Sequence, residues 1–177
     1  MRMLRMKILM LLPVIILFLG GCNSYPPIRS EKSVDIKRFM GDWYVIANIP
    51  TFIEDGAHNA IESYKLNQDG SIATTFSFYQ DRFDGKKKIY NPTGFVVDKN
   101  SNAIWDMQFI WPFKSDYRIV YVSDDYSKTI IGRIKRDYVW IMARKPEISD
   151  KDYNYLLNII EEEGYDIKEV QKVPQRW

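Results

Sequence analysis

Two widely separated stretches constrain the fold of this chain more than any other feature. Gly41-Asp42-Trp43-Tyr44-Val45-Ile46-Ala47-Asn48-Ile49-Pro50 opens on a glycine and a tryptophan and runs straight into a short apolar strand. Asp137-Tyr138-Val139-Trp140-Ile141-Met142-Ala143-Arg144-Lys145-Pro146 is its complement, a strand that closes on arginine. A first strand starting at Trp43 and a last strand ending at Arg144 suit a β-barrel whose ends meet. The guanidinium can then lie on the indole face, a contact worth roughly 0.5–2 kcal/mol. Taken alone, Gly-x-Trp describes a core aromatic equally well.

Between these ends, short strand-like segments alternate with turn signals, the pattern of an all-β sandwich or barrel. Strands are expected near 42–49, 59–66, 71–79, 87–97, 103–110, 117–123, 128–134 and 138–144. Asn67-Gln68-Asp69-Gly70, Asp84-Gly85 and Asp98-Lys99-Asn100-Ser101-Asn102 supply turns between them. The expected fold is an eight-stranded antiparallel up-and-down barrel, large enough to hold one small ligand. After Pro146, Ser149 is placed to cap a helix, and Tyr153, Leu156, Leu157 and Ile160 form one apolar stripe ending before Gly164. That single C-terminal helix should pack outside the barrel. Its last turn, Glu161-Glu162-Glu163, opposes the helix dipole. Ile167 to Val173 can add a ninth strand.

The chain begins with an address. Met1 to Lys7 is basic, Ile8 to Leu19 is apolar except for Pro13, and Gly20-Gly21 follows. That is the layout of a secretory signal peptide, too short to cross a bilayer as a stable helix. The next residue, Cys22, is the only cysteine, and Leu19-Gly20-Gly21-Cys22 resembles the lipobox of bacterial lipoproteins. The reading is therefore a signal peptide over 1–21, a lipidated N-terminus and tether over 22–33, and a folded domain over 34–177. Asn23, where an inner-membrane retention signal usually has Asp, favours the outer membrane, facing the periplasm. Loss of Arg2, Arg5 and Lys7 with the signal peptide turns the net charge of +2 into −1. No basic run with interleaved aromatics remains, so nucleic acid is not an expected partner.

Strand alternation assigns an inner face. It takes Glu62, Tyr64, Thr74, Phe76, Phe78, Val96, Trp105, Met107, Phe109, Tyr117, Ile119, Tyr121, Tyr138, Trp140 and Met142 as the lining of a ligand cavity. Residues such as Asp106, Gln108 and Arg118 face out. Tyrosine hydroxyls can orient a head group while rings contact an acyl chain. Glu62 is the exception to an apolar wall, because an unpaired buried carboxylate is unfavourable. A barrel filled by these aromatics, with no cavity, fits the same periodicity.

Catalytic groups are sparse. His58 is the one histidine, no thiol is left once Cys22 is lipidated, and no Cys/His set has metal-ligand spacing. Neither an enzyme nor a metal or other cofactor is expected.

These residues resemble the lipocalin family, closest to the bacterial outer-membrane lipocalins. The resemblance rests on Gly41-Asp42-Trp43-Tyr44, on Ser123-Asp124-Asp125-Tyr126, on Arg144 and on the helix after it. It implies a calyx closed by Gly41, Trp43, Asp125, Tyr126 and Arg144. It further implies a small hydrophobic ligand, a fatty acid or lysophospholipid, stored or carried in envelope maintenance under stress. The alternative is an envelope assembly lipoprotein with a side-chain-filled barrel. Whether the chain forms a homodimer is left open by the sequence.

Overall fold

Alternation builds strands here, closure hides their inner faces, and the outer helix covers the other face of a few. The structure is a computed structural model, which describes residues 27–177; the signal segment and Cys22 lie outside the described residues. Ten strands form one sheet: β1 (Gly41–Ile49), β2 (Ala57–Leu66), β3 (Ser71–Gln80), β4 (Lys87–Tyr90), β5 (Thr93–Val96), β6 (Ile104–Ile110), β7 (Phe113–Val122), β8 (Lys128–Gly132), β9 (Val139–Ala143) and β10 (Gln171–Lys172). Their pairings are antiparallel, and β1 pairs with β9 to close an eight-stranded barrel, with β4 and β10 additional to it.

The segment read as one strand over 87–97 is broken. β4 pairs with Phe76–Tyr79 of β3 and β5 with Ser71–Ala73 of the same strand. Asn91-Pro92 lies between, because proline has no N–H to give to a ladder. The Pro92 carbonyl instead accepts the Thr74 N–H at 3.1 Å.

The tail of the chain completes the wall. Within Ile167–Val173 only Gln171–Lys172 is strand, preceded by a 3₁₀ turn at Ile167–Glu169. β1 pairs with β2 only over Gly41–Tyr44, and the tail fills the seam beyond that point. The Val173 N–H donates to Ile46 O, the Asn59 N–H to Pro174 O, and Gln175 Nε2 to Val45 O and Ala60 O.

A bulge corrects one inward assignment. Ile119 pairs with Ile131 but Tyr121 with Ile130, so Val120 is an extra residue in β7. Val120 and Tyr121 consequently both face out. Tyr121 packs against Tyr155 of the outer helix at 5.8 Å between ring centroids. It does not face the cavity.

The barrel has two apolar layers. Inside are Phe39, Trp43, Tyr64, Phe76, Trp105, Met107, Ile119 and Met142. Outside, α2 (Asp150–Glu162) lays Leu156, Ile159 and Ile160 against Ala47, Val120, Ile130, Ile141 and Ala143. β9 is thus buried on both faces, which accounts for its unbroken apolar run. Ser149 caps α2 by accepting the Asp152 N–H at 3.1 Å. The acidic last turn has partners upstream. Arg29 meets Glu163 at 3.0 Å and Glu162 at 3.8 Å, and its N–H donates to Glu163. Ile28 is buried beside Tyr165, and Glu31 bonds the Ile119 carbonyl and the Val122 N–H. From Ile28 onward the segment read as tether therefore lies on the barrel.

Candidate functional site: a calyx with a sealed floor

The floor begins with an element that alternation does not signal. Asp35 accepts the Lys37 and Arg38 N–H groups and starts α1 (Ile36–Phe39), one helical turn that puts Phe39 into the barrel, fully buried. Phe39 stands 5.0 Å from Trp43, 5.6 Å from Tyr64 and 5.6 Å from Trp105, between centroids. Trp105 stacks on Tyr117 at 5.4 Å, and the Tyr64 and Tyr117 hydroxyls bond to each other.

Arg144 covers this plug. Its Cζ lies 3.7 Å from the Trp43 ring centroid. Nη1 donates to Asp42 O at 2.7 Å, and Nη2 to the carbonyls of Arg38, Phe39 and Met40 at 2.8–3.0 Å. These are carbonyls at the end of α1, where a cation is favoured. Gly41 has φ +95° and a Cβ there would come 3.4 Å from Arg144 Nη1, so glycine serves both backbone and contact. Asp125 accepts from Ser123 Oγ and the Ser127 N–H, which holds its carboxyl well below the usual range. Tyr126 accepts the Asp35 N–H at 2.7 Å and lies under Arg38 at 4.1 Å. All five closure residues of the sequence reading thus lie at this sealed end.

Above the floor is a cavity of about 470 Å³. Glu62, Phe76, Met107, Phe109, Tyr117, Tyr138 and Trp140 line it, as alternation places them. Tyr64, Thr74, Phe78, Val96, Trp105, Ile119 and Met142 are in the barrel but packed beneath or around that space. The lower half of the barrel is filled and the upper half is open. At the rim, Phe52, Ile110 and Phe113 are 90%, 72% and 75% exposed.

Several lining residues escape a reading by alternation. Phe52 and Glu54 come from the β1–β2 loop, Lys114 and Asp116 from the start of β7, and Arg133 from the β8–β9 loop. Glu54 is 5% exposed and accepts from Trp140 Nε1 at 2.8 Å, Asn48 Nδ2 at 2.9 Å and Thr51 Oγ1 at 3.0 Å. Burial raises its pKa despite these bonds. Burial also pushes Glu62 up to about 8, with the charge of Glu54 adding to the effect. Nothing in the strand period marks Glu54; an acid directly after the apolar pair Phe52-Ile53 is the only trace.

Among the described residues no group of His, Cys, Asp and Glu has the arrangement to hold a metal ion. His58 Nδ1 bonds its neighbour Gly56 O, and its ring packs on Phe83.

Comparison with known proteins places this geometry. A model described as a lipocalin-like domain matches residues 34–175. Temperature-induced lipocalin-1 of Arabidopsis thaliana is 31% identical over 153 residues, covering 81% of each chain. The outer membrane lipoprotein Blc of Escherichia coli (strain K12) is 28% identical over 159 residues, 88% of this chain and 89% of that protein. Among solved structures, insecticyanin from the tobacco hornworm Manduca sexta superposes with a TM-score of 0.67 at 14% identity, covering 84% of this chain and 85% of that one. At that identity the likeness concerns the fold.

Proposed function

This chain belongs to the lipocalin family, and from that premise we propose that it is a lipid-anchored binding protein of the cell outer membrane. Its calyx holds one single-chain hydrophobic ligand, a fatty acid or lysophospholipid, for storage or transport in envelope maintenance. The observation that carries this reading is the open cavity above a sealed aromatic floor. Apolar side chains from β3, β6 and β9 face that space while Arg144 blocks the opposite end. Each CH₂ taken from water into such a wall contributes about 0.8 kcal/mol, so affinity should rise with chain length until the space is full.

The membrane address rests on the sequence at Cys22 and on the likeness to relatives named as outer membrane lipoproteins. Binding rather than turnover suits the site. Its two buried acids are fixed in a wall of hydrocarbon and ring faces, with no histidine or thiol among the lining residues. A filled barrel, the premise of a purely assembly-related role, does not fit the open upper half. Mass spectrometry of lipid extracted from gently purified protein is the test: a stoichiometric monoacyl species is expected. Protein free of lipid that also fails to bind a fluorescent fatty acid saturably would sink the proposal.

A further inference from the structure

Three acids line the calyx; Asp116 pairs with Arg118 at 2.9 Å, and no positive charge answers Glu54 or Glu62. Glu62 points into the cavity from β2 and is 8% exposed; Glu54 reaches it from the β1–β2 loop. The three donors on Glu54 are an indole, an amide and a hydroxyl, all neutral. Glu62 has the Tyr64 hydroxyl beside it. Among the described residues neither acid takes part in an ion pair, and the cavity's two cations are engaged elsewhere. Lys114 meets Asp106 at 3.9 Å and Arg133 meets Asp137 at 3.2 Å. A buried carboxylate without a counter-charge is unfavourable, so such an acid holds its proton until a cation arrives. The same space is walled by the rings of Phe76, Tyr117 and Trp140, whose faces attract cations, while the Tyr138 ring already lies under Arg133 at 5.2 Å.

We infer that Glu62 and Glu54 form a recognition site for a protonated amine, and that the preferred ligand is a single-chain amphiphile carrying an ammonium group. This rests on the reading of the calyx as a ligand site and names the head group it selects. A plain fatty acid brings no positive charge to the acids, whichever of its ends approaches them. An ammonium group answers both and gains from the rings.

The pairing also predicts a proton count. The groups facing Glu62 are Glu54 from the loop, Tyr64 on its own strand and Tyr117 from β7, with Lys114, Asp116, Arg133 and Tyr138 also lining the cavity. Burial first, and Glu54 second, raise Glu62 to about 8, so the empty site is largely protonated there at pH 7. An arriving ammonium favours the carboxylate. The ligand keeps its proton, and the Glu62 proton passes to buffer.

The test is calorimetric titration of the full chain in lipid nanodiscs with octylamine, 1-octanol and octanoate, subtracting empty nanodiscs. Octylamine should bind at least about tenfold more tightly than the other two. In buffers of different ionisation heat it should release nearly one proton per site at pH 7, and its affinity should rise from pH 6 to 8. Glu62→Gln should abolish the proton release and weaken octylamine about tenfold or more. Equal or tighter binding of octanol or octanoate, or amine binding without proton release, would overturn the inference while leaving the calyx a lipid site. Failure of all three to saturate would remove the binding reading itself. Because these readouts use the wild-type chain, they stand even if the variant folds poorly. Lysophosphatidylethanolamine competing better than lysophosphatidylglycerol would assign the amine to a phospholipid head group; equal competition would assign it to a free alkylamine.

Discussion

Trp43 and Arg144 close the barrel as one unit: both donate to the Phe39 carbonyl, the indole N–H at 2.9 Å and guanidinium Nη2 at 3.0 Å. The guanidinium carbon stands 3.7 Å from the ring centroid. One side chain therefore joins β9, β1 and the turn of α1, and fixes which end of the barrel stays open.

Replacing Arg144 with alanine removes the cation–π contact and leaves several carbonyls without a donor. Stability should fall by about 1–3 kcal/mol. Arg144→Lys should recover less than half of it, because an ammonium cannot span the carbonyls on both sides as a planar fork does. Urea unfolding of the two variants measures both losses, and equal stability of arginine and alanine would contradict the role.

Much of this arrangement was legible in the sequence because strand alternation has a fixed period. Glu62, Phe76, Met107 and Trp140 fall on the cavity wall where that period puts them. It fails at Tyr121, since one extra residue in β7 reverses the face of everything after it, and no turn residue announces the bulge. Phe39 and Glu54 were invisible for another reason. A single helical turn and a loop carry no period, and both residues owe their burial to partners far along the chain: Trp105 for Phe39, Trp140 for Glu54. Of the three glutamates that end α2, Glu162 and Glu163 are answered by Arg29, a partner far upstream that no helix pattern signals.

Glu62 makes stability pH-dependent with a definite sign. Its folded pKa, raised to about 8 from 4.5, means that the folded state holds this proton more tightly than the unfolded chain. Its burial therefore adds no penalty below about pH 4.5, a growing one as pH rises toward 8, and a constant one above that. Glu62→Gln keeps the shape and removes the ionisation. Its melting temperature should match wild type near pH 4.5 and exceed it at pH 8.5, by the equivalent of a few kcal/mol at most. Parallel melting curves across this range would mean that Glu62 does not titrate as described.

The two faces of β6 give a paired test of ligand orientation. Met107 is 3% exposed and lines the cavity, whereas Gln108 does not. A lysine at Met107 brings charge to the acyl chain and should weaken fluorescent fatty-acid binding at least tenfold. Gln108→Lys should change it less than twofold. Tyr121→Ala belongs with the second group, because that ring packs on Tyr155 outside. It should lower stability by about 1–3 kcal/mol through lost packing without altering affinity. Equal weakening by Met107→Lys and Gln108→Lys would place the ligand elsewhere.

We propose that membrane attachment depends on one atom, the sulfur of Cys22. The basic start, the apolar run and Gly20-Gly21 all end on this residue, and the chain has no second thiol to take its place. Acylation with more than one chain holds a protein stably where a single chain binds only reversibly. From Cys22 to Ile28, where docking on the barrel begins, the chain has few residues to spare, including Pro26-Pro27. The barrel should therefore sit close to the surface that anchors it. Cys22→Ser should accumulate as a precursor of higher mass that no longer fractionates with the outer membrane, while the purified barrel binds fatty acid as before. Labelling with an alkynyl palmitate should mark the wild-type chain and not the variant. If the variant matures and fractionates normally, attachment resides elsewhere in the chain and Cys22 is not the anchor.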